Sequence, residues 1–294
     1  MHGRIQSPVA VLNPLPADLS EQVSRALRED IGTGDVTARL IAAETKARAR
    51  VRSREPAVLC GSPWFDETFR QLDPTVQIRW LHTEGAAVAA QAVLCELAGP
   101  ARALLTGERT ALNFLQLLSA TATVAQRYVA AIAGTGCRIL DTRKTIPGLR
   151  SAQKYAVRCG GASNHRQGLY DLVLIKENHI AAAGSIRAAV AAARHEAAGV
   201  RIEVETENLE QVREAIEARV DIVLLDNFSL EQLHAAVAFN RAQTQPVLLE
   251  CSGGVTLANA RQIAETGVDY LSVGAITKHI AAIDLSMRVV AAPT

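Results

Sequence analysis

RILDTRKT (138–145), DLVLIKEN (171–178), RIEVETEN (201–208), DIVLLDNF (221–228), PVLLECSGG (246–254) and YLSVGAIT (270–277) repeat one pattern, a short aliphatic strand that ends in polar residues. From Lys176 to Glu205 is 29 residues, followed by 21 to Asp226, 24 to Glu250 and 24 to Gly274. Each interval has room for one strand and one crossover helix. Short aliphatic runs of this kind read as the buried strands of a parallel sheet in a closed barrel. A weaker seventh strand is expected at YAVRC (155–159). A full eight-fold barrel takes about 200 residues or more. The pattern therefore predicts an α/β fold built on an incomplete, seven-stranded TIM-like barrel. Barrels of this kind do their chemistry where the strands end, so Arg143, Lys144, Lys176, Glu205, Asp226 and Ser252 are expected to face one pocket.

The chain has 294 residues, 49% of them hydrophobic, which is ample for a packed core. Thirty-one Lys and Arg against thirty Asp and Glu leave a formal charge of +1. That balance argues against a nucleic-acid partner, so any positive site must be local. No stretch reaches the roughly 20 uninterrupted apolar residues of a spanning helix, and the opening MHGRIQSPVAVLNPLPADLS lacks the apolar core of a signal peptide. A cytoplasmic protein with no membrane partner is expected. Cys60, Cys95, Cys137, Cys159 and Cys251 form an odd set without a C-x-x-C pair, which reads as buried free thiols rather than a metal or redox site.

Residues 1–17 hold three prolines and read as a loose arm. Asp18 with Glu21 resembles a capping box opening a helix to about Glu29, with Leu19, Val23, Ala26 and Leu27 on one face. Residues 47–60, 76–82 and 91–97 read as strands, with a helix at WFDETFRQL (64–72), so residues 18–118 form an N-terminal α+β domain. Two helical segments, 101–119 and 121–135, lead into a barrel domain assigned to 119–275. Beyond it, 276–294 is expected to form a helix, through KHIAAIDLSMRVV, that packs back toward the N-terminal domain.

Arg143, Lys144, His165, Arg166 and Lys176 are five potentially positive groups placed just after strands or in the loop NHRQG (164–168). Together they suit a small polyanion, Arg through bidentate contacts with carboxylate or phosphate and Lys as a point charge on a flexible stem. Glu205 and Asp226 end their aliphatic runs in carboxylates, which packing alone does not explain, because an unpaired buried charge is costly. They can hold Mg²⁺ through water, accept hydrogen bonds from sugar hydroxyls, or pair with the cations opposite. Ser252, Gly253, Gly254 and Gly274 lie at the last two strand ends, where barrels bind phosphate through backbone N–H groups. His165 can donate to an anion, act as an acid, or cap a turn. Zinc-ligand spacing, a G-x-S-x-G elbow and the loops G-x-x-x-x-G-K and G-x-G-x-x-G are all absent.

EDIGTGDVT (29–37), GERTALNFLQ (107–116), DTRKTIPGLR (141–150), NHRQGLYD (164–171), LIKENH (174–179), VETEN (204–208), LLDNF (224–228) and ECSGGV (250–255) closely resemble, in order, the motifs of the quinolinate phosphoribosyltransferase family. The resemblance spans nearly the whole chain. It implies an N-terminal open-face sandwich beside the truncated barrel, assembled as a homodimer with shared active sites and room for a higher oligomer. The implied reaction transfers phosphoribosyl from phosphoribosyl pyrophosphate to quinolinate with loss of carbon dioxide, using Mg²⁺ and no organic cofactor. By the same carry-over Arg109 reaches into the partner's pocket and joins Thr142, Arg143, His165, Arg166 and Lys176 around the quinolinate carboxylates. Lys144 and Lys176 are directed to pyrophosphate, and Glu205 and Asp226 to the ribose hydroxyls and Mg²⁺. Ser252, Gly253, Gly254, Ser272 and Gly274 are directed to the 5-phosphate. The alternatives are a related phosphoribosyltransferase acting on another base, a Schiff-base aldolase using Lys176, and a barrel that binds without catalysis.

Overall fold

The computed structural model describes residues 14–290, which divide into two compact units. One contains the chain up to Gln126 together with Ile146–Gly161 and the segment from His279 onward; the other contains Arg127–Thr145 and Ala162–Lys278. In chain order the elements begin with α1 (Leu19–Ile31), β1 (Lys46–Ser53), β2 (Ala57–Val58), α2 (Ser62–Leu72), β3 (Gln77–Trp80), β4 (Ala87–Val88), β5 (Val93–Pro100) and α3 (Ala101–Ala131). They continue with β6 (Arg138–Leu140), α4 (Arg150–Cys159), β7 (Val173–Ile175), α5 (Glu177–Ala183), α6 (Ile186–Glu196), β8 (Ile202–Thr206) and α7 (Leu209–Glu217). The last are β9 (Ile222–Asp226), α8 (Leu230–Arg241), β10 (Leu248–Ser252), α9 (Ala260–Glu265), β11 (Tyr270–Ser272), α10 (Ala275–Lys278) and β12 (Leu285–Val290).

The first unit is built on an antiparallel sheet ordered β12-β1-β5-β3. KARARVRS alternates arginines with small or apolar residues, so β1 turns Ala49 and Val51 into the core and Arg48, Arg50 and Arg52 outward. The rings of Phe65 and Phe69 meet tilted at 5.1 Å and those of Phe65 and Trp80 edge-on at 5.3 Å, in one core with Leu94, Leu97, Leu104 and Leu112. Gly107 sits inside α3 without ending it, because a Cβ there would lie 2.7 Å from the Phe69 ring and 2.8 Å from Leu72; glycine lets the helices approach.

The two helices predicted over 101–135 are one helix, α3, because nothing between Ser119 and Thr121 breaks it and the Thr123 hydroxyl donates back to Ser119 O at 2.6 Å. The strand over 47–60 is cut between β1 and β2, where Pro56 has no N–H to offer a ladder. The capping box at Asp18 does not form, since Asp18 accepts instead from Gln22 at 2.8 Å and Ser151 at 2.9 Å. YAVRC, expected as the seventh strand, is the end of helix α4, which buries Ala152, Tyr155 and Ala156 at helical spacing and sets Tyr155 5.3 Å from Trp64. The closing helix is also corrected. Ile283, Leu285 and Met287 recur at a spacing of two, the period of a strand, and β12 pairs antiparallel with β1, Met287 opposite Val51.

The second unit holds six parallel strands in the order β6-β11-β10-β9-β8-β7. A parallel bridge between Leu140 and Ser163 adds one further position beside β6. Helix starts follow from local side chains: Asn208 accepts from the N–H groups of Glu210 and Gln211, and Ser229 with Gln232 forms a capping box on α8. The mixed α/β class is therefore as read, with a parallel sheet and a separate antiparallel one. None of the described helices is long and apolar enough to cross a membrane.

Candidate active site

Strand alternation decides which side chains of the second unit share a face. Along β8, Glu203 and Glu205 point the same way, as do Leu224 and Asp226 on β9 and Glu250 and Ser252 on β10, and the register sets Ser252 beside Asp226 and Leu224 between Glu205 and Glu250. Lys176, directly after β7, contacts Glu205 through Nζ and an Oε2. Thr142, Arg143 and Lys144 follow β6, where Thr142 Oγ1 accepts from Lys144 N at 3.1 Å. A Cβ on Gly274 would lie 3.0 Å from Lys144 Cδ and 3.5 Å from Thr142 Oγ1, so the β6 and β11 ends meet.

The glycine turn after β10 is equally fixed. Asn227 N donates to Ser252 O at 2.9 Å, Asn227 Nδ2 donates to Asp226 at 2.8 Å, and Asn259 Nδ2 donates to Gly254 O at 3.0 Å. Gly253 has φ +85°, and a Cβ on it would meet Asn227 Oδ1 at 2.1 Å, so only glycine fits.

The loop 163–168 is held by two carboxylates, one buried and one exposed. Asp141, wholly buried, accepts from Asn164 Nδ2 at 2.6 Å and from His165 N at 2.8 Å, and Asp171 accepts from the N–H groups of Gln167 and Gly168. His165 Nδ1 accepts from Arg166 N at 2.7 Å, while Nε2 lies 3.0 Å from Glu203 and 3.4 Å from Glu250. Both glutamates are buried. Burial first, and the Glu203 carboxylate second, push Glu250 up to about 8, against the opposing pull of His165 and the Ser272 hydroxyl. Arg166 is pulled below its usual range, by burial first and by Arg143 second, while Glu203, Asp171 and Glu205 act the other way. Arg143 and Arg166 are thus electrostatic neighbours above a bed of acids.

A cavity of about 220 Å³ runs along this loop, lined by His165, Arg166, Glu250, Arg138, Arg201 and Tyr270 among others. Arg138, Ile222 and Tyr270 bring the starts of β6, β9 and β11 to it. Of the expected residues, the second unit brings Lys176 with Glu205, Thr142 and Lys144 with Gly274, Asp226 with the Ser252–Gly254 turn, and Arg143 with Arg166. Arg109 lies exposed on α3 in the first unit. Glu203, Glu250 and Asp141 were not foreseen as site residues. An acid inside an aliphatic strand, as in IEVET and LLECS, was the available signal.

For metal binding, Glu205 and Asp226 offer an all-oxygen, half-buried donor set that suits a hard cation such as Mg²⁺. In the first unit Cys60, Glu84 and Cys159 also bring ligand atoms within 4.8 Å of one another. Glu84 is already engaged there, accepting from Gly61 N at 2.6 Å and Ser62 N at 3.1 Å at the start of α2. All five thiols are free.

Residues 35–119 match the family model described as "Quinolinate phosphoribosyl transferase, N-terminal domain", and residues 121–288 match its C-terminal counterpart. The chain is 43% identical over 290 residues to a probable nicotinate-nucleotide pyrophosphorylase [carboxylating] of Synechocystis, covering 96% of this chain and 98% of that protein. It is 40% identical over 286 residues to the human nicotinate-nucleotide pyrophosphorylase [carboxylating], covering 96% and 95%. Among solved structures it resembles the nicotinate-nucleotide pyrophosphorylase of Francisella tularensis, with TM-score 0.90, 49% identity and coverage of 94% and 98%.

Proposed function

The chain belongs to the quinolinate phosphoribosyltransferase family, and on that premise we propose that it joins quinolinate to phosphoribosyl pyrophosphate, giving nicotinate mononucleotide, pyrophosphate and carbon dioxide. The observation that carries this reading is the pairing of Arg143 with Arg166 beside strand ends bearing Lys176, Glu205 and Asp226, a cationic cradle next to carboxylates. In this reading the pyridine nitrogen of quinolinate attacks C1 of the sugar as pyrophosphate leaves. Positioning and charge stabilisation suffice, without a covalent nucleophile. The new ring nitrogen is formally positive and draws electrons from C2, so carbon dioxide departs and a proton takes its place. Pyrophosphate and carbon dioxide should both be released from the two substrates with Mg²⁺; release of neither would overturn the reading.

We assign Thr142, Arg143, His165, Arg166 and Lys176 to the quinolinate carboxylates, Lys144 and Lys176 to pyrophosphate, and Ser252, Gly253, Gly254, Ser272 and Gly274 to the 5-phosphate. Glu205 and Asp226 would serve the ribose hydroxyls and hold Mg²⁺, directly or through water; the ion, when bound, neutralises pyrophosphate charge. The parallel sheet is read as a truncated barrel, supported by the extra bridge at Ser163. Free thiols, four of them buried, suit the reducing cytoplasm.

Gly253→Ala tests the phosphate assignment. Positive φ costs a side chain about 1–3 kcal/mol, and relief of the clash with Asn227 must distort the turn. The KM for phosphoribosyl pyrophosphate is expected to rise roughly tenfold or more, with the quinolinate KM little changed; equal rises would refute a phosphate role.

We also propose a homodimer in which Arg109 completes the partner's site. Arg109→Ala mixed with Lys176→Ala then regains activity, because each mixed dimer contains one intact site. Verified mixed dimers without recovery would remove the shared-site assignment.

A further inference from the structure

We propose that Glu203 and Glu250 are positioning residues that act through His165 to aim Arg166 at the substrate dianion, an inference that rests on the quinolinate reading above. Two glutamates facing one imidazole inside a sheet are an expensive arrangement, since both carboxylates are buried, none of their four oxygens has a hydrogen-bond partner among the described residues, and the nearby imidazole is what offsets their lost hydration. They converge from β8 and β10, across β9, on a single atom, His165 Nε2.

The ring's other nitrogen decides what that convergence means. Nδ1 accepts the Arg166 N–H at 2.7 Å and so carries no proton, which puts the proton of the neutral ring on Nε2, between the two carboxylates. A metal ion at the same three residues would need the Nε2 lone pair and a proton on Nδ1, directly against the Arg166 N–H. The arrangement therefore fits an ion-pairing anchor, with Nε2 3.0 Å from Glu203 and 3.4 Å from Glu250, better than a metal centre, although the three residues have metal-like spacing.

The anchor bears on Arg166 because the same short segment carries both. Asp141 fixes Asn164 and the His165 N–H from one side, Asp171 fixes Gln167 and Gly168 from the other, and the imidazole locks the residue between them. Arg166 has to remain beside Arg143 before any dianion arrives, and two guanidinium groups repel. Glu203 offsets that repulsion and, with Glu250, holds the ring against which the Arg166 backbone is pinned.

The test uses steady-state kinetics with both substrates and ¹⁵N NMR of the His165 ring in the native protein, assigned by its loss in His165→Asn. Glu250→Leu removes an acceptor for Nε2–H, whereas Glu250→Gln keeps an oxygen there. The expected results are an Nε2–H ring, a quinolinate KM raised roughly 10–100-fold in Glu250→Leu with the phosphoribosyl pyrophosphate KM unchanged, and recovery in Glu250→Gln. An Nδ1–H ring would overturn the proposal even if Glu250→Leu did not fold. A folded Glu250→Leu with an unaltered quinolinate KM, or with both KM values raised alike, would overturn it too. Absence of turnover in the native enzyme would instead refute the reaction, and leaves the NMR result to judge the anchor.

Discussion

Lys176→Ala is expected to lower kcat/KM for phosphoribosyl transfer by roughly 10²–10³, the scale of losing one preorganised charge partner from a transition state. Lys176 follows β7 directly, where strand geometry fixes its backbone, and its ammonium contacts Glu205. Removing it does double damage. The departing pyrophosphate loses a cation, and the half-buried Glu205 carboxylate is left unpaired near a leaving anion, which adds repulsion. Lys176→Arg should recover only part of the rate, because a planar fork does not reproduce a compact ammonium. Initial rates with each substrate varied provide the check; a change smaller than about threefold, well under 1.4 kcal/mol, would exclude a direct role. The same variant separates transfer from Schiff-base chemistry, since borohydride trapping of a carbonyl substrate by the native enzyme, abolished in the variant, would favour an aldolase.

Quinolinate should be preferred over nicotinate by about 10³-fold or more in kcat/KM, as befits a site whose half-buried charged groups are left unmatched by the lesser substrate. Burial first, and the neighbouring Arg143 second, weaken Arg166's hold on its proton. A mono-acid satisfies part of that cradle and leaves a desolvated guanidinium without its carboxylate. Nicotinate also has no C2 carboxylate to lose. Parallel assays of the two pyridine acids with phosphoribosyl pyrophosphate and Mg²⁺ decide the matter, and comparable turnover would sink the charge-matching argument.

Aliphatic runs made the parallel strands legible, because a buried parallel strand has few other compositions open to it. The cations at strand ends were legible for the complementary reason, that charge has no packing excuse there. YAVRC was not, since five residues of mixed character fit either period and only the packing of Tyr155 against Trp64 selects the helix. LSMRVV was lost likewise, its strand form depending on β1, far away in sequence. Glu203 and Glu250 escaped notice because a strand's inward face is set by its neighbours, and sequence alone does not show two acids from β8 and β10 closing on one imidazole.

The pairing of β12 with β1 also orders events during synthesis. Arg48–Ser53 are synthesised long before Leu285–Val290, the strand that completes their sheet. Until then one flank of β1 exposes open amides and carbonyls, a template for pairing with another nascent chain. The arginines spaced along KARARVRS, all outward, give that waiting edge a repulsive charge that discourages such misassociation.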